Sequence, residues 1–396
     1  MTAITKTFTD NRKTLTTLLY VAAAVLVLLW LLPIIGAQRP ARLVQSTITG
    51  LLVGGIYALI ALGIVLINKA SGVFNFAHGW IMILGGLIFY SFFAIAQPSP
   101  IAAGLLALAT ALMVLTTNGW GALRQPRTWI IAAIATVVLT ILLSVGGTDF
   151  QFVRAVIGAA VGGVLTGLVS ERFAIRPLIG QPLFAMVLMT LALSELLHGI
   201  TQLIWGSVEI PLQVFVGLQS IGLPFPIRIE GTGVFEGNII IRTELLIAFV
   251  LSLLAFAAFV AFFRYTSVGL AMRAIAENQK LGQSVGLRVR TILAVAWAIA
   301  AILGAIAGVL NGGATSLSLN MPLLALRAFP AVLLGGLESV GGALVGGLVI
   351  GLVQEWANLL FPGTQAGTEL APYIVLMVVL VIRPDGLFGQ KRIERI

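Results

Sequence analysis

The chain has 396 residues, 59% of them hydrophobic and only 9% charged, with a mean hydropathy of +1.08 and a net charge of +9. A soluble globular chain carries about 25% charged residues, so this composition excludes a soluble enzyme and defines an all-α polytopic membrane protein. The positive charge is spread over short loops and reads as topology rather than as a nucleic-acid surface. With no Cys there is no disulfide, thiol or Fe–S chemistry, and two His residues leave almost no scope for a metal centre. Asp, Glu, Lys and Arg are absent from Ala70 to Leu123 and again from Thr291 to Leu326. A span takes about 20 apolar residues, so each of these runs holds several helices, and about 10–12 helices are expected over the whole chain.

In chain order, Lys6, Arg12 and Lys13 precede an apolar run at Leu15–Ile35. It is too long for an ordinary signal-peptide core and lacks a small-residue cleavage site, so a retained extra helix at 15–36 is expected. A second helix, Leu43–Ile67, carries Gly50 and Gly54 as a small-xxx-small packing face, with Tyr57 beyond them. Residues 68–79 (NKASGVFNFAHG) interrupt the apolar pattern. Backbone that leaves the helix at membrane depth is tolerated where it lines a cavity or is buried in protein. Asn75, a good helix cap, and His78 flank Phe76 there. Trp80–Ala96 is a helix, Gln97-Pro-Ser-Pro100 a turn, and Ile101–Thr117 and Thr128–Val145 two further spans joined by a loop with Arg124 and Arg127.

Val153–Ser170 leads into a basic loop, ERFAIRPLIGQP, and Leu183–Trp205 follows as the next span. Glu195 and His198 lie at i, i+3 in its middle, near Thr190, Ser194 and Gln202. An ionisable residue inside a span is a functional candidate by default, the alternative being a polar pair turned against another helix. The 206–241 connection is rich in Pro and Gly and is expected to form short strands or a hairpin outside the membrane, from the alternation in LQVFVGL and PIRIEG. After Glu244–Phe263 comes the longest charged connection, 264–290, and then Thr291–Leu310. The Gly-rich remainder reads as half a span at Ala328–Gly336, a full one at Gly341–Leu360 with Glu338 at the turn, and a short last helix at Ala371–Ile382 before a basic tail. Gly335, Gly336, Gly342 and Gly346 are close-packing positions in this reading. Basic loops at 118–127, 171–182 and 264–290, with both termini, are assigned to the cytoplasmic side, which leaves Arg39, Arg42 and Arg327 outside.

The 264–290 segment organises the rest. Val268, Met272 and Ile275 repeat at i, i+4, i+7, and Arg273, Glu277 and Lys280 repeat likewise on the other side. That predicts an amphipathic helix with an Arg273–Glu277 pair, bounded by turns at Gly269, Gly282 and Gly286. A compact helix held between two spans suits docking on a soluble partner, although a solvated positive-inside loop explains the charge alone. The chain has no GxxxxGK[ST] loop, no HExxH and no clustered Asp pair, so catalytic and metal sites are not expected, nor is ATP binding by this chain.

Several stretches in the same order resemble the permeases of the branched-chain amino acid ABC importers (LivH-type). They are GLLVGGIYALIALGIVLI, FNFAHGWIMILGG, SERFAIRPLIG, TSVGLAMRAIAENQKLGQSVGLRV, LRAFPAVLLGGLESVGGALVGGLVIGL and VIRPDGLFG, covering about 43–97 and 152–390. The resemblance implies a single transmembrane permease domain in a bacterial or archaeal cytoplasmic membrane. Its partners would be a second, homologous or identical permease subunit, two cytoplasmic ATPase subunits holding ATP and Mg, and an extracytoplasmic solute-binding protein that meets the 206–241 surface. The coupling segment then falls on Arg273, Ala276, Glu277, Asn278, Gly282 and Gly286. Tyr57, Asn75, Phe76, His78, Thr190, Ser194, Glu195 and His198 are the substrate-pathway candidates. The helix at 15–36 and the pair of spans within 98–150 depart from the usual pattern, as do Glu195 and His198. Urea or amide import, or an ion-coupled secondary transporter using Glu195, are the alternatives to amino acid import.

Overall fold

In a computed structural model of the chain, residues 33, 36 and 38–389 are described, except 96, 148, 208, 216–223, 233–235, 278 and 364. The expected helix at 15–36 lies almost wholly outside the described residues, as do Asn278 and the end of the basic tail. The helices are α1 (Pro40–Ser71), α2 (His78–Phe93), α3 (Pro100–Leu115), α4 (Pro126–Ser144), α5 (Gln151–Val169) and α6 (Leu183–Trp205), then α7 (Thr243–Tyr265), α8 (Ser267–Glu277), α9 (Gln279–Ser284), α10 (Val289–Ala314), α11 (Pro322–Gly335), α12 (Val340–Leu360) and α13 (Gln365–Ile382). Seven of them, α1, α4, α5 with its continuation, α6, α7, α10 and α12, are long and apolar enough to cross a membrane. Four shorter apolar helices lie at His78–Phe93, Pro100–Leu115, Pro322–Gly335 and Glu369–Ile382.

Local chemistry sets the boundaries. Proline occupies the first position of α1, α3, α4 and α11, where its missing N–H costs nothing. The Ser339 hydroxyl accepts a hydrogen bond from the Gly342 N–H at 2.9 Å and caps α12. Gly72 ends α1 in the left-handed region, at φ 69°. Between α6 and α7, β1 (Ile227–Gly231) and β2 (Gly237–Ile241) pair antiparallel, as PIRIEG predicts. The preceding LQVFVGL contributes no strand among its described residues. Ile210 just before it pairs instead with Leu317 beyond α10.

α1 is the central post. Its residues from Ile56 to Ile67 are all buried, enclosed by α12, α10, α7 and α11. Glycine makes the tightest of these seams. A β-carbon on Gly50 would lie 2.9 Å from the Leu352 Cα, and one on Gly54 would lie 2.8 Å from the Leu348 Cα, so α1 and α12 touch backbone to backbone. Two side-chain hydrogen bonds lace the same seam: Tyr57 OH donates to Gln354 Oε1 at 2.6 Å, and Trp356 Nε1 donates to Thr47 Oγ1 at 3.1 Å.

Arginines of α5 and its continuation clamp the α3–α4 hairpin at both ends. Arg154, fully buried, donates to the carbonyls of Phe92 at 2.7 Å, Val145 at 2.8 Å and also Ile95. These are orphan acceptors at the C-terminal ends of α2 and α4. At the other end the helix passes through a π turn, Ser170–Ile175. There Arg172 donates to the Thr116 carbonyl and stacks 3.8 Å from the Trp120 ring centroid, while Arg176 donates to the Thr117 carbonyl at 2.9 Å. Buried Glu171 holds Arg176 through two bonds, at 2.9 and 2.6 Å.

The Gly54→Val variant is expected to lose roughly 1–3 kcal/mol through overpacking of the α1–α12 seam. A β-carbon at Gly341 meets nothing within 4 Å, so Gly341→Ala is expected to stay within about 0.5 kcal/mol of wild type. Thermal unfolding in detergent, followed by size-exclusion recovery, separates the two.

Candidate functional site

The break at 72–77 folds back into the protein and starts α2 level with the middle of α1. His78 lies between Gly63 of α1 and Gly304 of α10, whose missing side chains make room for its ring. Asn75 is not the cap of α2. Its Oδ1 accepts from the Ala77 N–H at 3.0 Å, shaping the turn, and Ala77 occupies the cap position. Both residues are fully buried, and the two His78 ring nitrogens and Asn75 Nδ2 have no hydrogen-bond partner among the described residues. Phe76 is taken up in a stack in which Phe74 and Phe76 lie 4.2 and 5.1 Å from Phe329 of α11. Thr190 is sealed beneath the same turn and donates to the Phe74 carbonyl at 3.2 Å. The Tyr57 and Thr190 hydroxyls are thus both spent on neighbouring elements.

α6 presents the opposite situation. It packs on the rest chiefly through α2, the π turn and the break at 72–77. Glu195 is 79% exposed and His198 32% exposed, with Nδ1 to Oε2 at 3.4 Å. His198 stacks on Trp80 of α2 with ring centroids 4.2 Å apart, so the imidazole is held while the carboxylate projects outward. Ser194 is half-buried. Gly199 and Gln202 follow Glu195 at i+4 and i+7 on the uncovered face, where a β-carbon on Gly199 would meet nothing within 4 Å.

The 264–290 segment forms two helices, α8 and α9, rather than one. Met272 and Ile275 are buried and Val268 packs against the same core. The expected Arg273–Glu277 pair is not formed. Arg273 turns back to donate to the carbonyls of Phe263 and Arg264 and lies over the Phe263 ring. The orphan carbonyls and negative dipole end of α7 hold a cation better than an exposed i, i+4 carboxylate does. Gly269 does not bound the helix. It lies within α8, where a β-carbon would collide with the Phe263 carbonyl. Gly282 is within α9, and Gly286 takes the left-handed turn, at φ 86°. Ala276 is half-buried, Glu277 is exposed, and Asn278 lies outside the described residues.

Gly335, Gly342 and Gly346 bring α11 against α12, and Gly336, at φ 101°, receives the chain at Gly389. The Leu387 N–H then donates to the Leu334 carbonyl at 2.8 Å. Sequence reasoning passed over Arg154 and Gln354, and over Arg327 of α11, which pairs with Glu369 of α13 at 3.4 Å. The signal for Arg154 was present, as a lone cation inside an apolar run. Its acceptors, carbonyls at the ends of two separate helices, were not.

Eleven apolar helices among the described residues, a broken helix pair at the centre and the α8–α9 pair beside the ends of α7 and α1 define a multi-pass membrane protein. The family model described as the branched-chain amino acid transport system permease component matches residues 130–382, and the chain belongs to that family. It is similar to the high-affinity branched-chain amino acid transport system permease protein LivH of Escherichia coli K12, 25% identical over 356 residues, which cover 89% of this chain and 97% of that protein. BraD of Pseudomonas aeruginosa, a permease protein of the same description, is 28% identical over 360 residues, with the same coverage. A probable LivH of Methanocaldococcus jannaschii is 29% identical over 329 residues, covering 80% of this chain and 95% of that one. None of the solved structures matches the chain.

Replacing Arg273 with Gln is expected to free α8 from the end of α7. Amide exchange over residues 267–277 should then rise about tenfold while exchange in α10 is unchanged.

Proposed function

We propose that this permease subunit imports a branched-chain amino acid or a similar small polar solute, driven by ATPase subunits that dock on α8 and α9. The observation that carries the docking is the outer surface of this helix pair. Leu270, Leu281 and Val285 are 61%, 64% and 70% exposed, while Met272 and Ile275 anchor the pair to the bundle. Apolar side chains held outside the spans on a rigid, anchored element suit a protein partner. Arg273, Ala276, Glu277, Asn278, Gly282 and Gly286 form or flank this element. ATP and Mg belong to the partner subunits.

In the same reading α6 faces a second permease subunit across a wet pathway. A carboxylate in the middle of a span is costly against acyl chains, and the exposure of Glu195 together with the uncovered Gly199 and Gln202 supports a polar environment on that face. Transport is by alternating access. ATP-driven closure of the ATPase dimer displaces α8, which is tied through Arg273 to α7 and through Met272 and Ile275 to the core. This couples only if the ATPases contact α8 differently in the two states. The solute assignment rests on the family, whose described relatives transport branched-chain amino acids. A solute-binding protein delivering at the β1–β2 end completes the importer.

Tagged wild-type protein in mild detergent is expected to copurify two ATPase subunits, and Glu277→Arg or Leu281→Asp to weaken their retention by at least about tenfold. In liposomes, binding protein loaded with leucine should stimulate ATP hydrolysis where one loaded with urea does not; the reverse reassigns the solute. Uptake that follows an ion gradient without any ATPase refutes the ABC reading. Glu195→Gln and His198→Ala are expected to slow uptake about tenfold with ATPase retention unchanged. Normal uptake in both removes α6 from the pathway.

A further inference from the structure

Beside α8 lies a cavity of about 820 Å³ that the transport reading does not use. Phe256, Val260 and Phe263 of α7 line one wall, at i, i+4 and i+7 on a single face. At 1.5 Å per residue this wall runs about 10 Å along the helix axis, into the span. Lys69, Arg264 and Arg273 also line it, together with Glu338 and Ser339. Lys69 gives one N–H to the Glu338 carbonyl at 3.1 Å, and the Arg264 guanidinium has no hydrogen-bond partner among the described residues, lying 5.7 Å from the Tyr265 ring centroid. The cavity therefore joins an apolar helix face to three cations, with a single carboxylate beside them.

We infer that this cavity binds an anionic phospholipid, its phosphodiester held by Lys69, Arg264 and Arg273 and an acyl chain laid along Phe256, Val260 and Phe263. A free anion would leave Phe256 and Val260 bare, and an apolar ligand would leave the Arg264 guanidinium without a hydrogen-bond partner among the described residues. A phospholipid satisfies both, and it reaches the site from the bilayer that surrounds α7. Basic pockets where helices meet the membrane surface bind anionic headgroups on the same electrostatic ground. Because Arg273 also ties α8 to α7, a headgroup here reports on, and biases, the position of the docking helix. The inference does not depend on which solute is carried.

The test is native mass spectrometry and lipid extraction of the chain from nanodiscs of phosphatidylcholine with a minor fraction of phosphatidylglycerol. Wild type is expected to retain one phosphatidylglycerol. The Lys69→Gln/Arg264→Gln double variant should retain it about 30-fold less, near 1 kcal/mol for each cation removed. Arg288→Gln/Arg290→Gln, an equal charge change outside the cavity, should keep it, and Lys69→Arg/Arg264→Lys should restore it. Inorganic phosphate and glycerophosphoglycerol should not displace it, and Val260→Trp, which fills the wall without touching charge, should. Equal loss in both glutamine pairs would reduce the effect to diffuse attraction, and displacement by phosphate would make the cavity a free-anion site. Retention in Lys69→Gln/Arg264→Gln, with loss of ATPase copurification instead, would give these cations to the ATPase. Each of these overturns the inference.

Discussion

Water is absent from the bilayer interior, so every helix end placed there or near it must find its hydrogen-bond partners within the protein. Much of the structure follows from that constraint. Arg154 answers it at one end of the molecule by serving the ends of α2 and α4 together, and Arg172 and Arg176 answer it at the other by serving the end of α3. Arg273 does the same for α7. Each guanidinium offers several donors in a fixed fork, so one side chain can serve several carbonyls at a helix end.

The same solvent offers no hydrophobic gain for bringing helices together, so the contacts rest on close packing. That explains the glycine seam between α1 and α12 and the room left for His78 by Gly63 and Gly304. It also explains why α1, enclosed on all sides, carries almost no polar group along its buried length beyond the Tyr57 hydroxyl bonded to Gln354. The peripheral helices α6 and α7 have far less of their surface covered.

The centre is tightly packed and the edge is exposed. The break at 72–77 and the short α11 meet in the Phe74–Phe76–Phe329 stack, whereas α6 exposes a carboxylate and α8 the apolar Leu270. Arg273 joins the two regimes, since the group that closes α7 also seats α8.

The spans, their approximate limits, the broken segment at 68–79 and the amphipathic register of 267–277 were legible in the sequence. Each rests on local chemistry: apolar length, a Gly or Pro at a boundary, or a 3.6-residue period. Local reasoning also favoured Arg273–Glu277, the nearest opposite charges, and gave the Tyr57 hydroxyl no partner. The tertiary structure decided otherwise, because the carbonyls at the end of α7 and the amide of Gln354 become neighbours only when distant segments meet. Which glycines face which helix, which arginine closes which end, and that Glu195 projects outward while Thr190 is sealed were likewise settled only there. Composition and periodicity specify what a helix can bury, and only the packed bundle specifies what it is buried against.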